Sequence, residues 1–207
     1  MWQELLGGGT KQVHVASGEL VFHPGRDPGI ALIHAGIVRV FLVTPAGRQL
    51  TVRYARAGDL LGVVASLSGT EGLNAEAIAD TTLTMLTIEH LRSIATADHD
   101  LPWRIAQHVA TWAAEAVGAM GDSLAKPMTA RVAYHLAQMT LPAPDGRAVA
   151  HISHQRLADA VGTVREVVSR ELRTLRAQGV IDTGPELVVV IDQRRLERIA
   201  AGTAPRG

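Results

Sequence analysis

Arg165, Arg170, Arg173 and Arg176 all fall within one segment, HISHQRLADAVGTVREVVSRELRTLRAQG (residues 151–179). Guanidinium groups present planar donor forks suited to guanine edges and phosphate oxygens, provided that a rigid element holds them. The apolar spacing predicts such an element. Leu157, Ala158 and Val161 give a first short helix its inner face, and Val164, Val168, Leu172 and Leu175 recur at i, i+4, i+8 and i+11 in a second. Gly162 allows a tight turn between them, and Ala158 is small enough for a close crossing. The face left over on the second helix carries Arg165, Glu166, Ser169, Arg170 and Arg173, the layout of a DNA recognition helix. Ser153 reads as the N-cap of the first helix, with amides able to face a phosphate. Thr163 and Glu166 also have capping-box spacing, and Arg173 and Arg176 suit phosphate contacts or solvation better than base reading.

The rest of the chain must position this pair. Residues 12–15, 19–22, 31–34, 37–43, 49–54 and 83–88 read as short strands between Gly-rich turns, which predicts a β-sandwich or barrel with a jelly roll leading. Residues 101–125 change period, with Ile105, Val109, Trp112, Ala116 and Met120 on one stripe. That stripe reads as a dimerisation helix, because about 25 residues at 1.5 Å each overreach a small β-domain. Lys126-Pro127 marks the domain boundary. A helix over 128–140, the helix pair, a hairpin around Thr183-Gly184-Pro185 and a last helix over 193–201 then spell a winged helix. The expected organisation is α+β: a sensor domain over 1–100, a dimerisation helix and hinge over 101–127, and a DNA-binding domain over 128–207.

Composition narrows the classes. The chain has 207 residues, 47% hydrophobic content and a net charge of zero, which argues against disorder. The neutrality conceals an asymmetry: residues 1–127 hold nine Lys/Arg against twelve Asp/Glu, and residues 128–207 hold eleven Arg against eight acids. No apolar run of membrane-spanning length and no signal sequence appear, so a cytoplasmic protein without membrane contact is expected. The absence of cysteine excludes disulfides, cysteine-ligated iron–sulfur clusters and thiolate metal sites.

This order of elements, with VREVVSRELRTLRAQGVI in the second helix, resembles the cyclic-AMP receptor protein/fumarate–nitrate regulator (CRP/FNR) superfamily of bacterial transcription factors over nearly the whole chain. The N-terminal resemblance rests on Gly36, on Gly58-Asp59-Leu60-Leu61-Gly62 and on Ala75-Glu76-Ala77. The family's R-E-x-x-[GS]-R pattern is met by Arg165, Glu166, Ser169 and Arg170. The resemblance implies guanine or phosphate contacts for the two arginines and a cytosine amino contact for Glu166. It further implies a homodimer on an inverted-repeat site, with recognition helices about 34 Å apart, and RNA polymerase as a partner.

The effector side departs from the family pattern. Cyclic-nucleotide sensors place an arginine and a small hydroxyl residue before the last strands, whereas here the stretch reads Glu71-Gly72-Leu73-Asn74-Ala75-Glu76-Ala77. Its acids would repel a phosphate, so cyclic AMP is not expected as effector. Gly58, Asp59, Leu60 and Asn74, with His34 from an apolar strand, are the candidate effector-pocket residues. Six histidines in the sensor half leave haem open, with His34 the candidate ligand. No metal site is expected. The rival readings are a constitutive DNA binder whose sensor half only dimerises, and a metal-dependent jelly-roll enzyme, which lacks its His-x-His signature.

Overall fold

The computed structural model describes residues 2, 5, 7, 10–22, 29–69 and 72–202. It divides into two compact units, Met1–Val43 with Val52–Ala119, and Thr44–Thr51 with Met120–Gly207. The division falls inside the long helix, ahead of the boundary expected at Lys126-Pro127. Among the described residues no helix is long and apolar enough to cross a membrane.

The first unit is a β-roll of two facing sheets. One has the order β1 (Lys11–Val15), β7 (Thr81–Leu86), β2 (Ile30–Ala35), β5 (Leu60–Leu61); the other has β4 (Gln49–Arg56), β3 (Ile37–Val43), β6 (Leu73–Ala77). Two-residue alternation explains how β2 can be apolar on both faces. Ala31 and Ile33 join Val38, Val40, Ala75 and Leu83 between the sheets. Ile30 and Leu32 point the other way, onto Trp2, Leu86, Leu91, Leu101 and Ile105. At Gly36, φ is +100°, and a side chain would strike Thr81 Oγ1 and sit 2.7 Å from the Asp80 carbonyl oxygen. Only glycine fits that turn.

Several elements differ from the sequence reading. The strand expected at 19–22 is a single bridge, Leu20 to Glu76. The strand expected at 83–88 is Thr81–Leu86, because Thr87 accepts the His90 amide and starts α2 (Ile88–Ala97). Neither α2 nor the short α1 (Val63–Ser68) was expected. Most of the Gly-rich stretch between the strands expected at 19–22 and 31–34, residues 23–28, lies outside the described residues, and so does one of the six histidines, His23.

The long helix α3 spans Leu101–Ala125. Ile105 is 8% exposed and belongs to the unit's own core, with Val109 packed against it. Ala116 is half-buried, and only Met120 of the expected dimer stripe is well exposed. Ile105 and Val109 therefore pack within their own unit and not, as expected, against a partner. The open apolar face lies about 100° round the helix and carries Trp103, Ala106, Ala110, Ala113 and Val117. Trp103 and Val117 are 68% and 70% exposed. A helix apolar on two sides has two admissible stripes, and the sheet beneath takes one.

The second unit is a winged helix: α4 (Met128–Met139), β8 (Leu141–Pro142), β9 (Ala148–His151), α5 (His154–Val161), α6 (Arg165–Ala177), β10 (Ile181–Gly184), β11 (Leu187–Val190) and α7 (Gln193–Ala200). The wing is a four-stranded sheet ordered β10-β11-β9-β8, two strands more than the expected hairpin. Val132, Ala133 and Leu136 of α4 are buried, as are Leu157, Leu172 and Leu196 of α5, α6 and α7.

Candidate nucleic-acid interface and sensor cavity

Ser153 caps α5 by accepting the Arg156 amide at 3.2 Å. Gly162 closes it in the left-handed region, φ 74°, and the Thr163 amide donates to the Ala158 carbonyl at 2.9 Å. The N-cap of α6 is Val164, without a side-chain cap and 57% exposed. The Thr163–Glu166 capping box therefore does not form, since the helix starts one residue later than that box requires, and Val164 leaves the buried stripe. Val168, Leu172 and Leu175 complete that stripe.

Helical spacing sets Glu166, Arg170 and Arg173 on the side of α6 opposite Val168, with Ser169 beside them. Arg165 and Glu166 are exposed and have no hydrogen-bond or ion-pair partner among the described residues. Ser169 Oγ lies 2.8 Å from Nδ1 of His154, which ties α6 to α5. Arg173 Nε donates to the Ser169 carbonyl at 3.3 Å, and Arg176 pairs with Asp182 at 3.0 Å.

Arg170 is held from beneath. Its Nε donates to Glu171 Oε1 at 3.1 Å, and Thr129 Oγ1 of α4 donates to Glu171 Oε2 at 2.6 Å. The Glu171 side chain is 10% exposed against 64% for Arg170. A buried carboxylate anchored on α4 thus carries an exposed guanidinium. Sequence reasoning missed Glu171 and His154. The available signal was an acid three residues after Val168, inside an otherwise apolar stripe.

The candidate effector residues divide. Leu60 and Asn74 line a cavity of about 70 Å³ in the β-roll, together with Arg53, His108, Val109 and Trp112. Gly58 and Asp59 do not line it. The Gly58 carbonyl accepts Trp2 Nε1 at 2.8 Å, and Asp59 Oδ2 accepts Arg53 at 2.6 Å and the Arg56 amide at 2.8 Å. Burial pulls the Arg56 guanidinium down from its ordinary pKa, and the Asp59 carboxylate opposes that shift. His34 is not at the cavity: it sits on the exposed end of β2, with Nε2 2.7 Å from Thr84 Oγ1. Its strand was read as wholly apolar, but β2 is buried only through Ile33. Glu76 pairs with the buried Arg39 at 2.9 Å, and Glu71 lies outside the described residues.

Residues 130–199 match the Crp-like helix-turn-helix domain, and residues 12–98 match the cyclic nucleotide-binding domain. The transcriptional regulator LdrP of Thermus thermophilus is 33% identical over 178 residues, covering 83% of this chain and 87% of that protein. The cyclic AMP receptor protein of the same organism is 32% identical, over 90% of this chain and 87% of its own length. The crystal structure of a CRP-family transcriptional regulator, also from Thermus thermophilus, superposes with a TM-score of 0.74 at 27% identity, over 91% of this chain and 96% of that one. With both domains matched and relatives above 30% identity covering most of the chain, the chain belongs to the CRP/FNR superfamily of transcription regulators.

Proposed function

We propose that the chain acts as a homodimer that reads an inverted-repeat DNA site with α6 of each protomer, under an effector other than cyclic AMP. The observation that carries this reading is the outer face of α6. Glu166 and Arg170 project there from a helix fixed by Val168, Leu172 and Leu175, with Arg170 braced by Glu171 and Arg165 exposed at the helix N-terminus. Arginine forks match guanine O6 and N7, and Glu166 matches the cytosine amino group. Ser153 and Arg173 are assigned to the phosphate backbone.

The exposed apolar face of α3, from Trp103 to Val117, supports the dimer. Such a face is costly in water, and a second copy would cover it across a two-fold axis. RNA polymerase is the partner assigned to the bound dimer. An effector shifts the population toward the DNA-competent arrangement by binding it more tightly. Against cyclic AMP stand Gly72–Ala77, which hold no arginine, and Glu76, which Arg39 already occupies.

Selection of bound sequences from a random duplex pool tests the reading, and an inverted repeat with half-sites one helical turn apart is expected. Arg170→Ala should lose roughly 1–3 kcal/mol of specific binding and relax one base position. A footprint unchanged in that variant would remove Arg170 from base recognition.

A further inference from the structure

Several helical hydroxyls of this chain turn back onto their own backbone. Ser68, Thr96, Thr111 and Thr174 each donate to the carbonyl four residues earlier, at 2.7 to 3.2 Å. Ser169 of α6 does not. Its Oγ lies 2.8 Å from Nδ1 of His154, the first residue of α5, and among the described residues it has no other hydrogen-bond partner. Both side chains are half-buried where the two helices meet, and Ser169 borders the outer side of α6 that carries Glu166 and Arg170.

Proton counting gives that bond a direction. A hydroxyl carries one proton, and a neutral imidazole carries one for two nitrogens. A proton on Nδ1 would point at Ser169 Oγ and leave the serine proton without an acceptor in the protein. A proton on Nε2 lets Nδ1 accept the Ser169 O–H, and Nε2, which has no partner among the described residues, donates to water. The second arrangement uses both groups fully. In it the Ser169 proton points at α5, and only oxygen lone pairs face a base.

An unheld serine can serve either edge of a base, because its hydroxyl turns. We propose that His154 is the positioning residue that makes Ser169 discriminate. Held as an acceptor, Ser169 reads an amino edge, adenine N6 or cytosine N4, and rejects a keto edge, guanine O6 or thymine O4. A keto oxygen there would face lone pairs with no proton between them. His154 need not touch DNA to do this. The assignment rests on the reading of α6 given above, and Glu166, one turn before Ser169, is a second acceptor on the same helix.

Two measurements on the full chain test it. Nitrogen-15 NMR in alkaline buffer, where imidazole is neutral, reads the tautomer, and the signal lost in His154→Ala identifies the residue. Nδ1 should be unprotonated; a proton on Nδ1 overturns the assignment. Fluorescence anisotropy then follows the selected duplex at the base pair whose selection relaxes in Ser169→Ala. A transition there, A·T to G·C or the reverse, puts a keto oxygen where the amino group stood. The starting protein should lose at least about ten-fold in affinity. In His154→Ala the loss should fall below about three-fold, because the freed hydroxyl turns to donate. The loss at the base pair read by Arg170 should stay as it was. Adding His154→Ala to Ser169→Ala should change nothing further. An equal transition penalty with and without His154, an even loss of affinity on all duplexes, or a Ser169→Ala variant that relaxes no base pair would overturn the role of His154 and leave α6 as the reader. A starting protein that selects no sequence overturns the regulator reading, and the base assignment with it, while the tautomer measurement still decides the direction of the His154–Ser169 bond.

Discussion

The β-roll and the winged helix each contain an arginine–carboxylate pair, and the two are built inside out. In the roll the arginine is buried: Arg53 is 6% exposed and Asp59 27%. On α6 the carboxylate is buried and the arginine faces outward, at 10% for Glu171 and 64% for Arg170. The arginine of each pair differs accordingly in what it can do. Arg170 keeps its fork available to a large external partner, and its acid serves as a mount. Arg53 is closed off from such a partner, and its acid compensates a charge that the interior cannot hydrate.

Removing the more exposed member should separate the two pairs most strongly. Asp59→Ala strands a buried guanidinium, which cannot shed its proton, and also leaves the Arg56 amide without its acceptor. A loss of about 3 kcal/mol in denaturant-measured stability is expected, at the low end for breaking a buried pair because Asp59 is partly exposed. A loss below about 1 kcal/mol would mean that Arg53 is hydrated and that its burial is not a constraint.

How far each region could be read in advance follows from the same difference. On α6 the exposed face was legible, because a helix places residue types on faces by arithmetic, and Glu166, Ser169 and Arg170 share one short stretch. The cavity was legible only at Leu60 and Asn74. Arg53 and His108 reach it from strand and helix far apart in sequence, and nothing local distinguishes Arg53 from any outward-facing strand arginine. His34 failed for a related reason: periodicity does not say where a buried strand emerges. On α3 the period was legible but not which apolar face the roll takes: Ile105 and Val109 pack on the core, and Ala106, Ala110 and Ala113 are left exposed. The broad architecture was legible because turn glycines, strand lengths and the Pro127 break are local signals. The wing strands β8 and β9 were not, because pairing across the sheet makes them.

A smaller effect is expected from stranding the acid on α6. Arg170→Ala removes one partner of Glu171 but leaves the Thr129 hydroxyl donating at 2.6 Å. An isolated carboxylate can also take up a proton, an escape that a guanidinium lacks. Thermal or denaturant unfolding should therefore show a loss of about 1–2 kcal/mol, clearly less than for Asp59→Ala. Equal losses in the two variants would erase the distinction between the pairs.

The smallest change in stability should come from Glu171→Leu, and it sharpens the comparison most. An apolar side chain of similar size replaces a buried charge among Val168, Leu172 and Leu175, and such replacements are often neutral or stabilising. Stability should stay within about 1 kcal/mol of the starting protein, with Thr129 half-exposed and able to turn to water. DNA binding should nevertheless weaken, because Arg170 loses the contact that holds its guanidinium and must be ordered on binding, at about 0.5–1.5 kcal/mol for one long side chain. Fluorescence anisotropy on the selected site, beside a site altered at the base that Arg170 reads, separates the two roles. If Glu171 positions Arg170, affinity for the correct site falls more than affinity for the altered one. If Glu171 only fills space, both affinities stay where they were, and Arg170 is oriented by the DNA rather than by the protein.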